Sequence, residues 1–189
     1  RSGSISQSSR KPSQPQSLAA SRADQAVSLS WQPPANDGGA ALTGYRVTVT
    51  PGDRILDLPA DTTTTTIDGL ANGTSYSFEV TAQNPAGLSP AATVSATPAT
   101  VPGTPTEIIV QPVDGGALIR WSPAADNGAP ITGHEITVQP GGQTITVGPD
   151  NRAGVGSLTN GVAYTFTVRA INDLGPGPWS PATNEVIPA

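Results

Sequence analysis

The chain has 189 residues, of which 21 are Gly and 20 are Pro, and only 12% of the residues are charged. This length fits one large domain or two small ones. The formal net charge of −5 disfavours phosphate-backbone binding, which requires clustered cations, so nucleic acid is not an expected partner. Because the sequence contains no cysteine, disulfides and thiolate metal sites are excluded, and packing alone must stabilise the fold.

An internal repeat organises the chain. Residues 69–84 and 157–172 share the pattern Leu-x-x-Gly-x-x-Tyr, followed by apolar residues at every second position. The two copies begin 88 residues apart, and a period of this length corresponds to one small β-sandwich rather than to one enzyme. The repeat therefore predicts two tandem domains, and it defines the architecture much better than it defines an activity.

The repeat also suggests domain boundaries. Residues 1–11 are Ser-rich without hydrophobic periodicity, which predicts a disordered tail or tag. Domain 1 is predicted to span residues 12–98, a short Pro-rich linker residues 99–104, and domain 2 residues 105–189. Because the linker is short and its prolines favour extended backbone, we expect a semi-rigid, end-to-end pair.

Short alternating segments separated by turn residues run through domain 1. Val27, Leu29 and Trp31 alternate with serines, which indicates a strand with one buried face. About seven such segments, with turn signals roughly every ten residues, predict an all-β sandwich. The predicted strands of domain 1 lie at about 16–21, 27–31, 45–50, 55–58, 62–67, 76–82 and 92–97.

Domain 2 repeats this order with two departures. His134, the single histidine of the chain, stands in the inward phase of its strand, where domain 1 has Tyr45. The last loop is three residues longer and contains Trp179, where domain 1 has Leu88. The predicted strands that match those of domain 1 lie at about 117–121, 134–138, 144–147, 155–158, 164–170 and 183–187.

These motifs resemble the fibronectin type III family. The resemblance rests on three features: the Trp that ends the second strand, the Gly-Tyr-x-Val strand of domain 1, and the motif Leu-x-x-Gly-x-x-Tyr-x-Phe-x-Val followed by Ala-x-Asn-x-x-Gly. The loop at residues 33–45 looks especially like the bacterial branch. Over residues 12–189, the resemblance implies two tandem seven-stranded immunoglobulin-like β-sandwiches. It implies little about activity, because this fold serves many unrelated roles.

The resemblance also implies a set of structural residues. One Trp in each domain would lie between the two sheets, and one Tyr would form a tyrosine corner, its hydroxyl bonding to the backbone of the turn that a Leu begins. A buried tyrosine ring gains contact area, but its hydroxyl requires a hydrogen-bond partner. The implied core residues are Trp31, Leu70, Tyr76, Phe78, Trp121, Leu158, Tyr164 and Phe166.

The sequence offers few candidates for catalysis or for metal binding. A nucleophile needs an adjacent base, and the chain has one histidine and no cysteine. Its acids are scattered over turns such as Asp37-Gly38, where Asp is favoured for backbone geometry. Calcium at the equivalent loops of Asp37 and Asp126 would have too few oxygens. We therefore predict that the chain is not an enzyme and has no catalytic residue, no cofactor and no metal site.

Trp179 is the strongest candidate for a binding function. In a Pro- and Gly-rich loop, its ring could stack on a sugar or anchor a protein partner. The structural alternative is that the ring packs over the Arg169 guanidinium in a cation–π contact. Both alternatives stay open, and Trp179 and Arg169 are the candidate partner-binding residues.

The sequence favours a non-catalytic spacer or accessory module of a larger secreted or cell-surface bacterial protein, either a carbohydrate-active enzyme or an adhesin. The alternative is a protein- or glycan-binding module that uses the domain 2 end loops around Trp179. The expected partners are neighbouring domains of a larger chain, a protein, or cell-wall polysaccharide. We expect a monomer, and no apolar run reaches the roughly 18 residues of a membrane span.

Overall fold

The computed structural model describes residues 8–189, and all regular elements in that range are β-strands. The chain divides into two compact units, residues 1–98 (unit 1) and residues 99–189 (unit 2). Within the described range, no helix has the length and hydropathy of a membrane span.

The described part of unit 1, residues 8–98, contains eight strands in two antiparallel sheets. One sheet has the order β1-β2-β5, and the other has the order β4-β3-β6-β7 with β8 also paired to β6. The strands are β1 (Gln16–Ala23), β2 (Ala26–Gln32), β3 (Gly44–Thr50), β4 (Arg54–Pro59), β5 (Thr64–Asp68), β6 (Tyr76–Asn84), β7 (Gly87–Leu88) and β8 (Ala92–Ala96).

Unit 2 repeats the arrangement with the sheets β13-β10-β9 and β12-β11-β14-β15, again antiparallel. The strands are β9 (Thr106–Val113), β10 (Gly116–Ser122), β11 (Gly133–Gln139), β12 (Gln143–Val147), β13 (Arg152–Val155), β14 (Thr165–Asn172) and β15 (Gly175–Pro176). The predicted all-β class and its two tandem immunoglobulin-like sandwiches are confirmed.

Each core forms because successive side chains of a strand point to opposite faces. In β2, Val27, Leu29 and Trp31 are buried while the two serines between them are exposed. Strand β10 repeats this pattern with Ala117, Ile119 and Trp121. The inward faces of the two sheets therefore pack into one apolar cluster in each unit.

The last segment of unit 2 differs from the regular strand predicted at residues 183–187. The main-chain N–H groups of Ser180, Thr183 and Val186 donate to the carbonyls of Val168, Phe166 and Tyr164, each at 2.9 Å. The hydrogen-bonded positions are thus three residues apart in this segment but two residues apart along residues 164–168. A regular antiparallel ladder needs equal steps, so this segment forms only an isolated bridge between Tyr164 and Val186.

Two further boundaries differ from the sequence expectation. The strand expected at residues 155–158 lies at Arg152–Val155, because Ser157 has φ of +59° and ends the extended backbone. Part of the predicted tail is bound to unit 1, since Arg10 N–H donates to the Gly38 carbonyl at 2.8 Å. Residues 1–7 of that predicted tail lie outside the described residues.

The asparagines that end β6 and β14 hold the segments that enter the two units. The Asn84 side-chain amide donates to the carbonyls of Arg10 at 2.6 Å and Asp37 at 2.7 Å. In unit 2, the amide of Asn172 donates to the carbonyl of Thr100 at 2.8 Å. Thr100 falls in the predicted linker, so the linker residues begin unit 2 rather than separating the units.

Candidate functional site

The candidate partner-binding residues of the sequence lie together on unit 2. Arg169 lies directly opposite Glu135 on neighbouring strands, and its Nε donates to Glu135 Oε2 at 2.6 Å. The Arg169 guanidinium carbon lies 4.4 Å from the centre of the Trp179 ring. We call Glu135, Arg169 and Trp179 the Trp179 stack.

The longer loop of unit 2 explains how Trp179 reaches that position. In unit 1, the Ser89 N–H donates to the Ala82 carbonyl immediately after β7. In unit 2, the equivalent hydrogen bond runs from Gly177 N–H to the Ala170 carbonyl. The N–H of Ser180 donates to the carbonyl of Val168, two residues earlier in β14, and the Val168 N–H donates to Ser180 Oγ. The three extra residues therefore move the indole of Trp179 along β14 to the level of Arg169.

The stack combines a neutralised cation with a partly open ring. Arg169 and Glu135 have side-chain exposures of 26% and 21%, and Trp179 is 36% exposed. The indole covers the guanidinium, so the cation–π contact that the sequence offered as the structural alternative is present within the unit. Some ring surface stays open to solvent and can contact an apolar or sugar surface.

Unit 1 has an ion pair elsewhere on the equivalent sheet. Arg46 Nε donates to Asp57 Oδ1 at 2.7 Å, between β3 and β4. This hydrogen bond lowers the pKa of the Asp57 carboxyl below its usual range. The half-buried Leu88 precedes the Ser-Pro pair of unit 1, as Trp179 does in unit 2. The Trp179 stack is therefore specific to unit 2.

The tyrosines assigned to the corners are equivalent: Tyr76 begins β6, and Tyr164 immediately precedes β14. The Tyr76 hydroxyl accepts a hydrogen bond from Ala71 N–H, and the Tyr164 hydroxyl accepts one from Thr159 N–H, both at 3.0 Å. Tyr164 is buried, whereas Tyr76 is half-buried. The other residues assigned to the core, Trp31, Leu70, Phe78, Trp121, Leu158 and Phe166, are all buried.

His134 is fully buried in the core of unit 2. Its Nδ1 lies 3.0 Å from the Gly148 carbonyl, so this nitrogen carries the proton and donates. Its ring meets Trp121 edge-on, with centroids 4.9 Å apart, as Tyr45 meets Trp31 at 5.4 Å in unit 1. The geometry gives His134 a packing role in place of the tyrosine.

The loop acids bond to their own turns. Asp37 Oδ1 accepts from Gly39 N–H at 2.8 Å, and Asp126 Oδ1 accepts from Gly128 N–H at 3.0 Å. Among residues 8–189, no group of three or more His, Asp or Glu side chains could hold a metal ion.

One surface was not foreseen from the sequence. A cavity of about 530 Å³ opens on the outer face of the β13-β10-β9 sheet, and its lining includes Arg120 and Arg152. The strand pattern alone places both arginines on exposed faces. It does not show that the two residues lie opposite each other, because that depends on the register between β10 and β13.

Sequence comparison relates both repeats to one family. The family model described as "Fibronectin type III domain" matches residues 13–97 and 103–186. Fibronectin type-III domain-containing protein 3a of Gallus gallus is 33% identical over 171 residues, which cover 82% of this chain and 14% of that protein. Endoglucanase B of Cellulomonas fimi is 30% identical over 164 residues, which cover 79% of this chain and 15% of that protein. The chain thus spans about one seventh of the length of these relatives.

Among solved structures, the two fibronectin type-III domain segment from chicken tenascin aligns with a TM-score of 0.46 and 21% identity, covering 90% of this chain and 98% of that one. The two sequence relatives named above are an animal and a bacterial protein, so the assignment to a bacterial branch stays a prediction. On the match of both repeats and the two antiparallel sandwiches, the chain belongs to the fibronectin type III domain family.

Proposed function

We propose that this chain is a non-catalytic spacer or accessory module of a larger secreted or cell-surface bacterial protein. The observation that carries the proposal is the short connection between the two units. The Pro98 carbonyl accepts from Gly73 N–H at 2.9 Å within unit 1, and Thr100 N–H donates to the Asn127 carbonyl at 3.1 Å within unit 2. Ala99 alone lies between these two anchored residues.

A connection this short leaves little free chain between the units. A flexible linker lets its two ends explore a volume that grows with its length, whereas a spacer must restrict that volume. The relatives span several times the length of this chain, which supports a role inside a longer protein. Endoglucanase B provides a precedent for a carbohydrate-active parent.

The non-catalytic part of the proposal rests on the chemistry of the described residues. His134, the only histidine, is sealed in the core and hydrogen-bonded to Gly148. The Arg169 and Glu135 side chains neutralise each other. The chemistry of the parent protein would then belong to other domains.

A second candidate is a protein- or glycan-binding module that uses the Trp179 stack. The observation in its favour is the partly exposed indole on a loop that is three residues longer than its counterpart in unit 1. Flat aromatic rings commonly anchor partners at interfaces. In this module, Arg169 would hold the ring in a fixed orientation rather than contact the partner itself.

Sedimentation and small-angle scattering of the chain and of Trp179→Leu separate the two candidates. Leucine is the residue that unit 1 has at the corresponding Ser-Pro motif. A spacer predicts a monomer whose profile is identical in both proteins and whose indole fluorescence does not respond to cell-wall polysaccharide. Assembly or polysaccharide binding that disappears with Trp179→Leu would replace the spacer with the binding module.

A further inference from the structure

The outer face of the β13-β10-β9 sheet carries a groove unrelated to the Trp179 stack. Its cavity of about 530 Å³ is lined by exposed side chains of all three strands. We call this surface the Arg120–Arg152 groove. The outward-facing residues that define it are Ile109, Gln111, Leu118, Arg120, Arg152 and Gly154.

The register of the sheet concentrates positive charge in the groove. Arg120 lies directly opposite Arg152 on neighbouring strands. Like charges at directly opposed positions destabilise a sheet. Asp150 also lines the cavity, but among residues 8–189 neither guanidinium has an ion pair or hydrogen bond to it or to any other group. Unit 2 has only three arginines, and two of them are placed here without a partner.

An aliphatic surface lies beside the two cations. Ile109 is 51% exposed and Leu118 is 52% exposed, which is high for large apolar side chains. Gly154 lies opposite Leu118 and leaves a depression next to it. A Cβ placed on Gly154 would lie 3.8 Å from Leu118 Cδ2, which is ordinary contact, so the fold does not require glycine there.

Unit 1 shows that the fold does not require this arrangement. Its equivalent sheet face is built from small hydroxyl side chains, which also border a shallow cavity. Two of them satisfy each other, since Ser28 Oγ lies 3.0 Å from Thr66 Oγ1. By register, Ser28, Ser30, Thr64 and Thr66 correspond to Leu118, Arg120, Arg152 and Gly154.

Strand β13 also offers unpaired backbone groups at the side of the groove. The Trp121 N–H bonds to the Asn151 carbonyl at 3.1 Å, which sets the phase of the ladder. The alternate residues Arg152 and Gly154 therefore direct their backbone N–H and C=O groups away from β10. Within the described residues, no strand pairs with that edge of β13.

We propose that the Arg120–Arg152 groove binds an extended acidic peptide segment. The backbone of the peptide pairs with the open edge of β13, one or two of its carboxylates accept from Arg120 and Arg152, and an aliphatic side chain fills the depression at Gly154. Arginine forks match carboxylates in a bidentate geometry, and strand addition supplies main-chain hydrogen bonds.

The lining residues favour a peptide over other anions. Sugar rings pack on flat aromatic side chains, and none lines this cavity, whose apolar part is aliphatic. Nucleic acid requires more cations than two, and it also uses aromatic rings for stacking. Acidic residues alternating with Leu, Ile or Val in an extended segment match the charge and the shape of the groove.

A displayed library of random eight-residue peptides tests the proposal on the full chain. The comparison protein is Arg120→Ser/Arg152→Thr, which installs the unit 1 residues at both positions. Selection on the unsubstituted chain should enrich peptides with two carboxylates and an aliphatic residue at alternating positions. Selection on the double variant should not enrich them. Failure of the unsubstituted chain to enrich such peptides overturns the proposal.

Fluorescence anisotropy with the most enriched peptide then measures each contact. We expect affinity to fall at least about tenfold in the double variant, the scale of charge-assisted bonds, and by a similar factor in Gly154→Thr, which fills the depression without changing charge. Arg54→Ser, which removes one positive charge from unit 1 outside the groove, serves as a control and should bind as the unsubstituted chain does. Circular dichroism checks that every variant is folded.

Two results in the anisotropy experiment would overturn the proposal. One is equal binding by the unsubstituted chain and by Gly154→Thr, which would show that the peptide does not enter the groove. The other is equal competition by an acidic oligosaccharide and by the peptide, which would show that charge alone is recognised.

Discussion

The hydroxyl of Tyr164, the residue immediately before β14, ties the start of this strand to the preceding turn through the bond from Thr159 N–H. Tyr164→Phe removes the acceptor and leaves that N–H in a partly buried setting, so we expect a loss of about 1–2 kcal/mol in the free energy of unfolding. Tyr76→Phe should cost less, because the Ala71 N–H is exposed and water can replace the hydroxyl.

Urea unfolding followed by two-dimensional NMR measures these costs, because it reports each unit separately. The two variants serve as each other's control, since the same hydroxyl is removed from equivalent turns. Equal losses in both units would show that burial does not decide the strength of the corner.

Tyr45 gives unit 1 a dependence on alkaline pH. Burial raises the pKa of its phenol above the ordinary value near 10. Above about pH 10, the unfolded chain loses this proton more readily than the folded chain, so the free energy of unfolding of unit 1 falls as pH rises. Below that pH, the contribution is fully present and constant.

The Tyr45→Phe variant should lose this component of the pH dependence. Urea unfolding of unit 1 at a series of pH values from 8 upward measures it, and the ultraviolet absorbance of tyrosinate follows the ionisation directly. Unit 2, which has His134 at the same position, is the internal control. An unchanged pH profile in the variant would mean that Tyr45 is not the group responsible.

At the scale of elements, the strands were largely predictable and their registers were not. Alternation along the chain identifies Trp31 and Trp121 as inward residues, because period 2 separates the faces of a strand. It cannot show that Arg120 lies opposite Arg152, or that the last segment of unit 2 pairs irregularly with β14. Those features depend on the register with a neighbouring strand. The Trp179–Arg169 contact, one of the two alternatives that the sequence left open, is present, since the extra loop residues bring the ring to that level.

The loop of unit 2 also contains a position where only glycine fits. A Cβ on Gly177 would lie 2.3 Å from the Pro102 carbonyl oxygen, a backbone atom of the segment that enters unit 2. Gly177→Ala should therefore push that segment away and destabilise unit 2 by roughly 1–3 kcal/mol, the usual cost of overpacking.

Thermal unfolding compares Gly177→Ala with Gly156→Ala, whose added Cβ has no atom within 4 Å. The control should stay within about 0.5 kcal/mol of the original chain. A stable Gly177→Ala protein would show that residues 100–103 are not tightly held against this loop.

At the scale of the whole molecule, one residue, Ala99, separates Pro98, which is hydrogen-bonded within unit 1, from Thr100, which is hydrogen-bonded within unit 2. This connection was only partly predictable. The prolines indicated a short junction, but the bonds from Asn84 and Asn172 that extend each unit toward its amino terminus join residues more than 70 positions apart. Such contacts exist only once the sandwich has folded.

The measurement that tests the spacer most directly is the distribution of distances between one label on each unit. The chain contains no cysteine, so Ser75→Cys and Thr146→Cys, both at exposed positions, provide unique attachment sites. Single-molecule energy transfer should give a narrow distribution, and inserting a Gly-Ser segment between Pro98 and Ala99 should broaden it. A distribution that is already as broad in the original chain as in the insertion variant would contradict the spacer.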